Sequence, residues 1–361
     1  ILPSVYGQNA PSRKLRIGVM GLKRGLAHIR SFQGATNVEI AYVCDVDRDR
    51  AVEGAVLASK GQSKSPKVVD DFRTIIEDPD VDILSIAAPN FWHAPATILA
   101  CEAGKHVYVE KPGSYDPQEG EWMVDAARKY DRKVQQGTQR RSYPSVIEGM
   151  AKIKGGVIGK VLYARTWYRN SRDGIGRGKP AAVPQNLDYE LWQGPVPREP
   201  YKDNLIHYNW HWHWTYGGGE LINNGVHALD LARWGLGVDF PTRVSYQGGR
   251  YHFDDDQETP DTGTAQFDFG DVGASWDGSS CHRRDDENLA FCTFYGEGGS
   301  IAFDKAGFAI YDSQGKLVEQ TAGTPGDVPH FQNLCDAIRD DIPLTQEIAE
   351  GQKSTLWCHL G

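Results

Sequence analysis

Ile17-Gly18-Val19-Met20-Gly21-Leu22-Lys23-Arg24-Gly25-Leu26 joins a short apolar run, 15–20, to a helical pattern that begins at Leu26. Where a strand passes through a glycine turn into a helix, the backbone can approach a pyrophosphate, and the helix N-terminus adds N–H donors and dipole charge. Counted from Gly21, the G-x-G-x-x-G spacing asks for glycine at 23 and 26, where Lys23 and Leu26 stand. Only Gly21 and Gly25 remain, so the turn by itself fits a phosphate loop or a plain strand–helix connection.

Asp45 ends the next apolar run, 24 residues beyond Gly21, near the offset of an acid that accepts the 2′- and 3′-hydroxyls of an adenosine ribose. Such a carboxylate repels a 2′-phosphate, which favours NAD over NADP. Lys23 and Arg24 stand where cofactor phosphates would meet them, and either cation would soften that repulsion. The competing reading is a solvated turn of Asp45 and Asp47 before a helix at Arg48.

Outward from this turn, apolar runs at 15–20, 38–44, 83–87, 106–109 and 133–136 alternate with helical patterns from Leu26, Arg48, Phe91 and Pro117. Strand, helix, strand in that order predicts a doubly wound parallel sheet, a Rossmann α/β domain. Beyond about Gln139 the texture changes. A helix at 145–154 and a strand at 160–168 precede a polar, proline-containing insertion at 169–200. After a glycine-led helix at 219–236, strands at 242–251, 262–269, 272–277, 290–295, 300–304 and 308–312 follow one another across short turns. This is an α+β domain with a large, mostly antiparallel open sheet. The expected division is 1–13 as a leader remnant or disordered start, 14–139 as the dinucleotide-binding domain, and 140–361 as a substrate-binding and oligomerisation domain.

The 361 residues are 40% hydrophobic and 24% charged, with a net charge of −9, which excludes a disordered tail, a coiled coil and a basic nucleic-acid coat. No nucleic acid is expected as partner. The longest stretch without Asp, Glu, Lys or Arg, 83–101, is broken by Pro89, Asn90, His93 and Pro95, so no membrane span is expected. The six cysteines are dispersed without a C-x-x-C pair and read as small core residues.

Three further stretches can carry chemistry. Glu110-Lys111-Pro112 directly follows the strand at 106–109, at the sheet edge where α/β proteins place ligands. A lysine in a partly desolvated crevice there, or beside a cationic nicotinamide, has its pKa lowered toward working pH and can exchange a proton with a hydroxyl; the alternative is an exposed strand-end lysine. On the helix at 219–236, Asn223, His227 and Asp230 fall at i, i+4 and i+7, presenting an amide, an imidazole and a carboxylate on one face, as a reacting set or as a buried polar network. Residues 207–216 contain three Trp and three His. His211 and His213 lack a further ligand at familiar spacing, so no metal is expected. Flat aromatic faces beside hydrogen-bonding rings suit a sugar, and Trp212, with Trp167, Tyr168 and Arg169 at a strand end, would line its pocket unless these rings serve core or subunit packing.

Ala88-Pro89-Asn90 with His93, the Glu110-Lys111-Pro112 step, Gly137-Thr138-Gln139-Arg140-Arg141 and the helix carrying His227 and Asp230 make the chain resemble the glucose-fructose oxidoreductase, inositol dehydrogenase and rhizopine-catabolism family of NAD(P)-dependent oxidoreductases, from Arg16 to the C-terminal helix. The resemblance implies cofactor contacts at Gly21, Lys23, Arg24, Gly25, Asp45, Pro89, Asn90, His93, Glu110, Lys111 and Gln139. It implies substrate contacts at Arg140, Trp167, Arg169, His211, Trp212, His213, Asn223 and His227, with Lys111 and His227 facing the nicotinamide across a carbohydrate substrate. Many family dehydrogenases have Asp four residues before the histidine. Asn223 stands there and cannot take a proton, so proton transfer falls to Lys111 and His227. The implied activity is hydride transfer between NAD(H) and a ring carbon of a sugar or glycoside. The alternative is a glycosidase that oxidises the sugar transiently, eliminates the aglycone, adds water and re-reduces with retained NAD. A homodimer or homotetramer through the second sheet is expected. Some exported relatives hold their nucleotide tightly, and the unpatterned segment before Arg13 reads as the end of such a leader, giving a periplasmic expectation.

Overall fold

The computed structural model describes residues 13–361; the leader expectation rests on residues 1–12 and lies outside the described residues. Two compact units are present. One comprises the residues through Gly137 with Pro180–Tyr201 and Asp327–Gln352, and the other Thr138–Lys179, Lys202–Gly326 and Lys353–Gly361. A single break at 139/140 therefore differs from the interleaved division of the chain. Two later segments return to the first unit because their large rings are buried there: Trp192 packs edge-on against Phe91 at 5.5 Å, and Phe331 stacks on Tyr108 at 4.1 Å.

In the first unit the strands are β1 (Leu15–Met20), β2 (Val38–Cys44), β3 (Lys67–Val69), β4 (Ile83–Ile86), β5 (His106–Glu110) and β6 (Val134–Gly137). They pair in parallel in the order β3-β2-β1-β4-β5-β6, the doubly wound order of a Rossmann domain. The intervening helices start where the sequence offers caps. Asp47 accepts from the N–H groups of Asp49 and Arg50 ahead of Arg48–Ala58, and Asp116 accepts from Glu119 ahead of Pro117–Lys129, with Pro117 in the first turn. β3, with Lys67 and Val68 exposed, is absent from the expected strands because three residues carry no readable alternation. The strand order reverses between β1 and β4, which places the ligand crevice beyond their C-terminal ends.

The second unit holds β7 (Val161–Arg169), β8 (Arg243–Gly249), β9 (Thr262–Asp268), β10 (Gly273–Ser279), β11 (Cys292–Gly296), β12 (Gly299–Asp304), β13 (Gly307–Asp312) and β14 (Leu317–Thr321). Their order is β14-β13-β12-β11-β7-β10-β9-β8, antiparallel throughout except β7 with β10. One face is buried through Ala164, Trp276, Phe294 and Phe303. Helices Pro144–Lys154 and Val226–Leu236 lie on it so closely that a Cβ at Gly149 would sit 2.5 Å from Phe303 and one at Gly235 would sit 2.3 Å from Phe294. The α/β class is as expected. Among the described residues, no helix is long and apolar enough to cross a membrane.

Candidate functional site

Gly21 has φ +83°, and a Cβ there would lie 2.6 Å from the backbone of Ala87 and Ala88, so the glycine turn presses directly against the end of β4. Its N–H donates to Cys44 O at 2.9 Å. Asp45 fastens the same turn: Oδ2 accepts the Leu22 N–H at 2.6 Å and Oδ1 accepts the Asp47 N–H at 2.9 Å. Burial pushes the Asp45 carboxyl pKa upward, opposed by these two donors. Beside it opens a cleft of about 830 Å³ between the β2 and β3 ends and residues 183–190, lined by Asp45, Arg48, Asp70, Asn186 and Asp188 among others. The glycine cradle and the acid at the strand end fit a dinucleotide, with Gly21, Gly25 and exposed Lys23 at the phosphate turn and Asp45 at a ribose.

Arg24 does not face the crevice as an unengaged cation: its Nε donates to Glu110 Oε1 at 2.8 Å and its Nη2 to Asp327 Oδ2 at 2.7 Å. Glu110 is buried and also meets His28 Nε2 at 3.1 Å, while its Oε2 accepts the Lys111 N–H at 3.1 Å. Burial alone would raise the Glu110 pKa, but the His28 hydrogen bond and the Arg24 charge hold it well below the usual carboxylate range. Because His28 Nε2 faces a carboxylate it carries the proton, so Nδ1 accepts from Ser85 Oγ at 2.9 Å. Burial lowers the pKa of that ring, opposed by Glu110. The strand end before Lys111 is thereby fixed from three sides. His93, buried at the start of Asn90–Glu102, meets Pro112 O with Nδ1 at 2.5 Å and Ala88 O with Nε2 at 2.8 Å, binding the turn after β5 to the turn after β4. Pro89 and buried Asn90 open that helix at the crevice edge.

In the second unit the glycine-led helix is not uniform. Leu221–Gly225 is a π-turn and the α-helix runs Val226–Leu236, so Asn223 and His227 lie on either side of a change in winding. The expected single polar face is split. Asn223 is buried and hydrogen-bonded with the Tyr208 hydroxyl. Asp230 is buried in a bidentate pair with Arg141, both bonds 2.9 Å, and accepts from Ser354 at 2.7 Å. His227 alone among 225–233 is partly exposed.

The aromatic segment also differs from expectation. Trp212 is 1% exposed and Arg172 stacks on its ring at 3.9 Å, so it offers no open face; the accessible rings are Trp214 at 54% and Tyr208 at 49%. His211 stacks on Trp210 at 3.6 Å and its Nδ1 meets Tyr208 O, while His213 Nδ1 faces Glu258 at 3.4 Å. β7 pairs Thr166 with Trp276 on the helix-covered face and Trp167 with Asp277 on the opposite one. Trp167 and Arg169 therefore point away from the His227 helix. Arg284 covers the Trp167 ring at 4.8 Å and its carbonyl accepts from Arg169. The residue between them, Tyr168, faces the core side. Strand alternation carries this distinction, and a pocket lined by Trp167, Tyr168 and Arg169 together overlooks it. Arg140 is held by Phe291 at 4.1 Å and the Lys305 carbonyl, and Gln139 is buried in the short turn before it. Arg172, Tyr208 and the 183–190 wall carry no spacing signal that singles them out in the sequence.

Comparison with known proteins agrees with this geometry. Residues 15–138 match the model of an oxidoreductase family with an NAD-binding Rossmann fold, and residues 163–260 match that family's C-terminal alpha/beta domain. A glycosyl hydrolase family 109 protein of Shewanella sp. strain ANA-3 is 30% identical over 46% of this chain, and an alpha-N-acetylgalactosaminidase of Shewanella oneidensis is 29% identical over the same share. Each alignment spans only 37% of the relative's length. Among solved structures, levoglucosan dehydrogenase in complex with NADH and levoglucosan superposes with a TM-score of 0.76 at 19% identity, covering 96% of both chains. Aldose-aldose oxidoreductase from Caulobacter crescentus gives 0.73 at 20% identity, covering 95% of both. The chain belongs to the glucose-fructose oxidoreductase, inositol dehydrogenase and rhizopine-catabolism family of NAD-binding oxidoreductases.

Proposed function

We propose that this protein is an NAD(H)-dependent oxidoreductase acting on a ring carbon of a sugar or glycoside. The observation that carries the reading is the Gly21 turn, locked to Asp45 and pressed on the β4 end at the strand-order reversal. The cleft beside it carries four carboxylates, Asp45, Asp70, Asp188 and Glu190, against one guanidinium, Arg48, which disfavours the extra phosphate of NADP. NAD, when bound, supplies the hydride acceptor.

The chain's own residues supply orientation and proton traffic. Lys111 Nζ takes the hydroxyl proton of the sugar as its carbon is oxidised, from a strand end that Glu110 holds rigid. His227, the partly exposed imidazole on a buried helix, assists in moving that proton. Asn223, an amide, positions a hydroxyl and keeps Tyr208 in place. Trp214 and Tyr208 present the accessible aromatic faces that suit a sugar ring.

The experiment is to denature the purified protein, identify any released nucleotide, and then follow absorbance at 340 nm with NAD over a panel of sugars and glycosides. Binding of neither NAD nor NADP would sink the reading. The similarity to family 109 glycosyl hydrolases favours a second reading, a glycosidase with retained NAD and no net redox change. Release of nitrophenol from a nitrophenyl N-acetylgalactosaminide without accumulation of NADH selects it. We also propose that copies associate as a homodimer or homotetramer through the outer sheet face, where Tyr163, Tyr295, Ser300 and Tyr311 form one row across β7, β11, β12 and β13. Light scattering of Tyr295→Asp against the unaltered protein tests this.

A further inference from the structure

Residues 183–190 follow β7 in the chain but stand in the first unit, as the outer wall of the cleft beside Asp45. They are bound there by backbone and side chain together. The Arg48 N–H donates to Asn186 O at 2.8 Å, the Asp188 N–H donates to Val46 O at 2.9 Å, and Asp47 and Leu187 form an antiparallel bridge. Asn186 Nδ2 donates to Asp47 Oδ1 and Asp49 Oδ2, each at 3.0 Å. Further along, Asp188 caps the turn Tyr189–Gln193, whose Trp192 is buried against Phe91 and accepts from Trp92 Nε1 through its carbonyl at 3.2 Å.

These contacts form one hydrogen-bonded chain. Asn186 donates to Asp47, the Asp47 N–H donates to Asp45, and Asp45 accepts the Leu22 N–H of the glycine turn. The open cleft they border is about 830 Å³, within the range of small-molecule sites. Its lining combines flat apolar surface from Val46, Val68, Val183 and Leu187 with the acids Asp45 and Asp70, a surface suited to a planar base carrying a diol.

We propose that residues 183–190 are a clasp over the adenosine end of the dinucleotide, pinned through Asn186, which must open before the nucleotide can leave. The inference rests on the dinucleotide reading above and adds a determinant of release to it. The segment is held by two backbone hydrogen bonds, the Asn186 amide and the buried side chains of Leu187 and Tyr189, and it lies outside the sheet, so it can open locally while the sheet beneath stays intact. Nucleotide hydroxyls on Asp45 would bind the carboxylate that holds Asp47, the residue that fixes Asn186, so occupancy and closure meet at one site.

The test uses the full chain with AMP and with nicotinamide mononucleotide as probes. Hydrogen exchange of the Arg48 and Asp188 amides slows when AMP binds and is unchanged by nicotinamide mononucleotide. In Asn186→Ala, AMP and NADH dissociate about tenfold faster or more, with nicotinamide mononucleotide affinity unaltered. AMP binding that leaves the Arg48 and Asp188 amides unprotected overturns the clasp alone. Failure of both AMP and NAD to bind overturns the clasp together with the dinucleotide reading. The exchange measurement needs no variant, so a misfolded Asn186→Ala leaves the test intact.

Discussion

Asp45 Oδ2 and the Leu22 N–H are 2.6 Å apart, so the acid at the end of β2 also holds the glycine turn after β1. One carboxylate thus sets the shape of the glycine turn and, under the proposed function, the ribose end of the cofactor. Asp45→Ala removes acceptors from two backbone N–H groups and is expected to cost about 1–3 kcal/mol in stability as well as NAD affinity. Asp45→Asn keeps an acceptor for the turn but removes the charge, so its NAD affinity falls while the NAD-to-NADP ratio moves toward unity. Fluorescence titration with both nucleotides measures it; an unchanged ratio would remove Asp45 from cofactor selection.

Arg141 and Asp230 form a buried bidentate pair, and Arg141 lies over the Trp234 ring at 4.6 Å. Breaking the pair leaves a charge in the core. Arg141→Met or Asp230→Leu alone is expected to destabilise by about 3–5 kcal/mol, and the double substitution by much less than the sum. Urea unfolding of the four proteins gives the coupling. Additive losses would mean that the two charges do not depend on each other.

Much of this architecture is legible in the sequence, and the limits have physical causes. β1, β2 and β5 are apolar runs bounded by turns, and the helical patterns from Arg48 and Pro117 begin where those two helices do. The offset from Gly21 leads to Asp45, which accepts the Leu22 N–H of the same glycine turn. Helical spacing assumes 3.6 residues per turn, so the π-turn at Leu221–Gly225 separates Asn223 from the partners of Asp230. Composition gives residues 169–200 as a polar insertion, but the burial of Trp192 beside Phe91 and the Asn186 and Asp188 hydrogen bonds decide which unit 180–201 joins. A tryptophan-rich stretch reads as binding surface until Arg172 is found covering Trp212.

Acid should weaken the fold through His106. Burial, with help from Arg132 and Lys133, pushes its pKa down to about 4, and its Nδ1 accepts the Lys133 N–H at 2.9 Å, a role only the neutral ring can fill. In the unfolded chain the ring titrates near about 6.5. Between these values the unfolded state binds a proton that the native state does not, so this stabilisation is complete above about pH 6.5 and is lost as pH falls toward about 4. Melting temperatures across that window should drop less steeply in His106→Gln. Parallel curves for the two proteins would place the acid sensitivity elsewhere.

The proposed function gives Lys111 and His227 one proton to handle, which would make their effects interdependent. Glu110 takes the Lys111 N–H at 3.1 Å, so Lys111→Met leaves the strand end anchored and removes only the amine. Turnover of whichever sugar the panel identifies is expected to fall by about 10²–10⁴, with NAD binding retained. His227→Gln should reduce the rate by a smaller factor. If the two groups act as a unit, the double variant is no slower than Lys111→Met by more than about a few-fold. Multiplicative losses would instead assign them separate steps, and full activity in Lys111→Met would remove the lysine from the chemistry altogether.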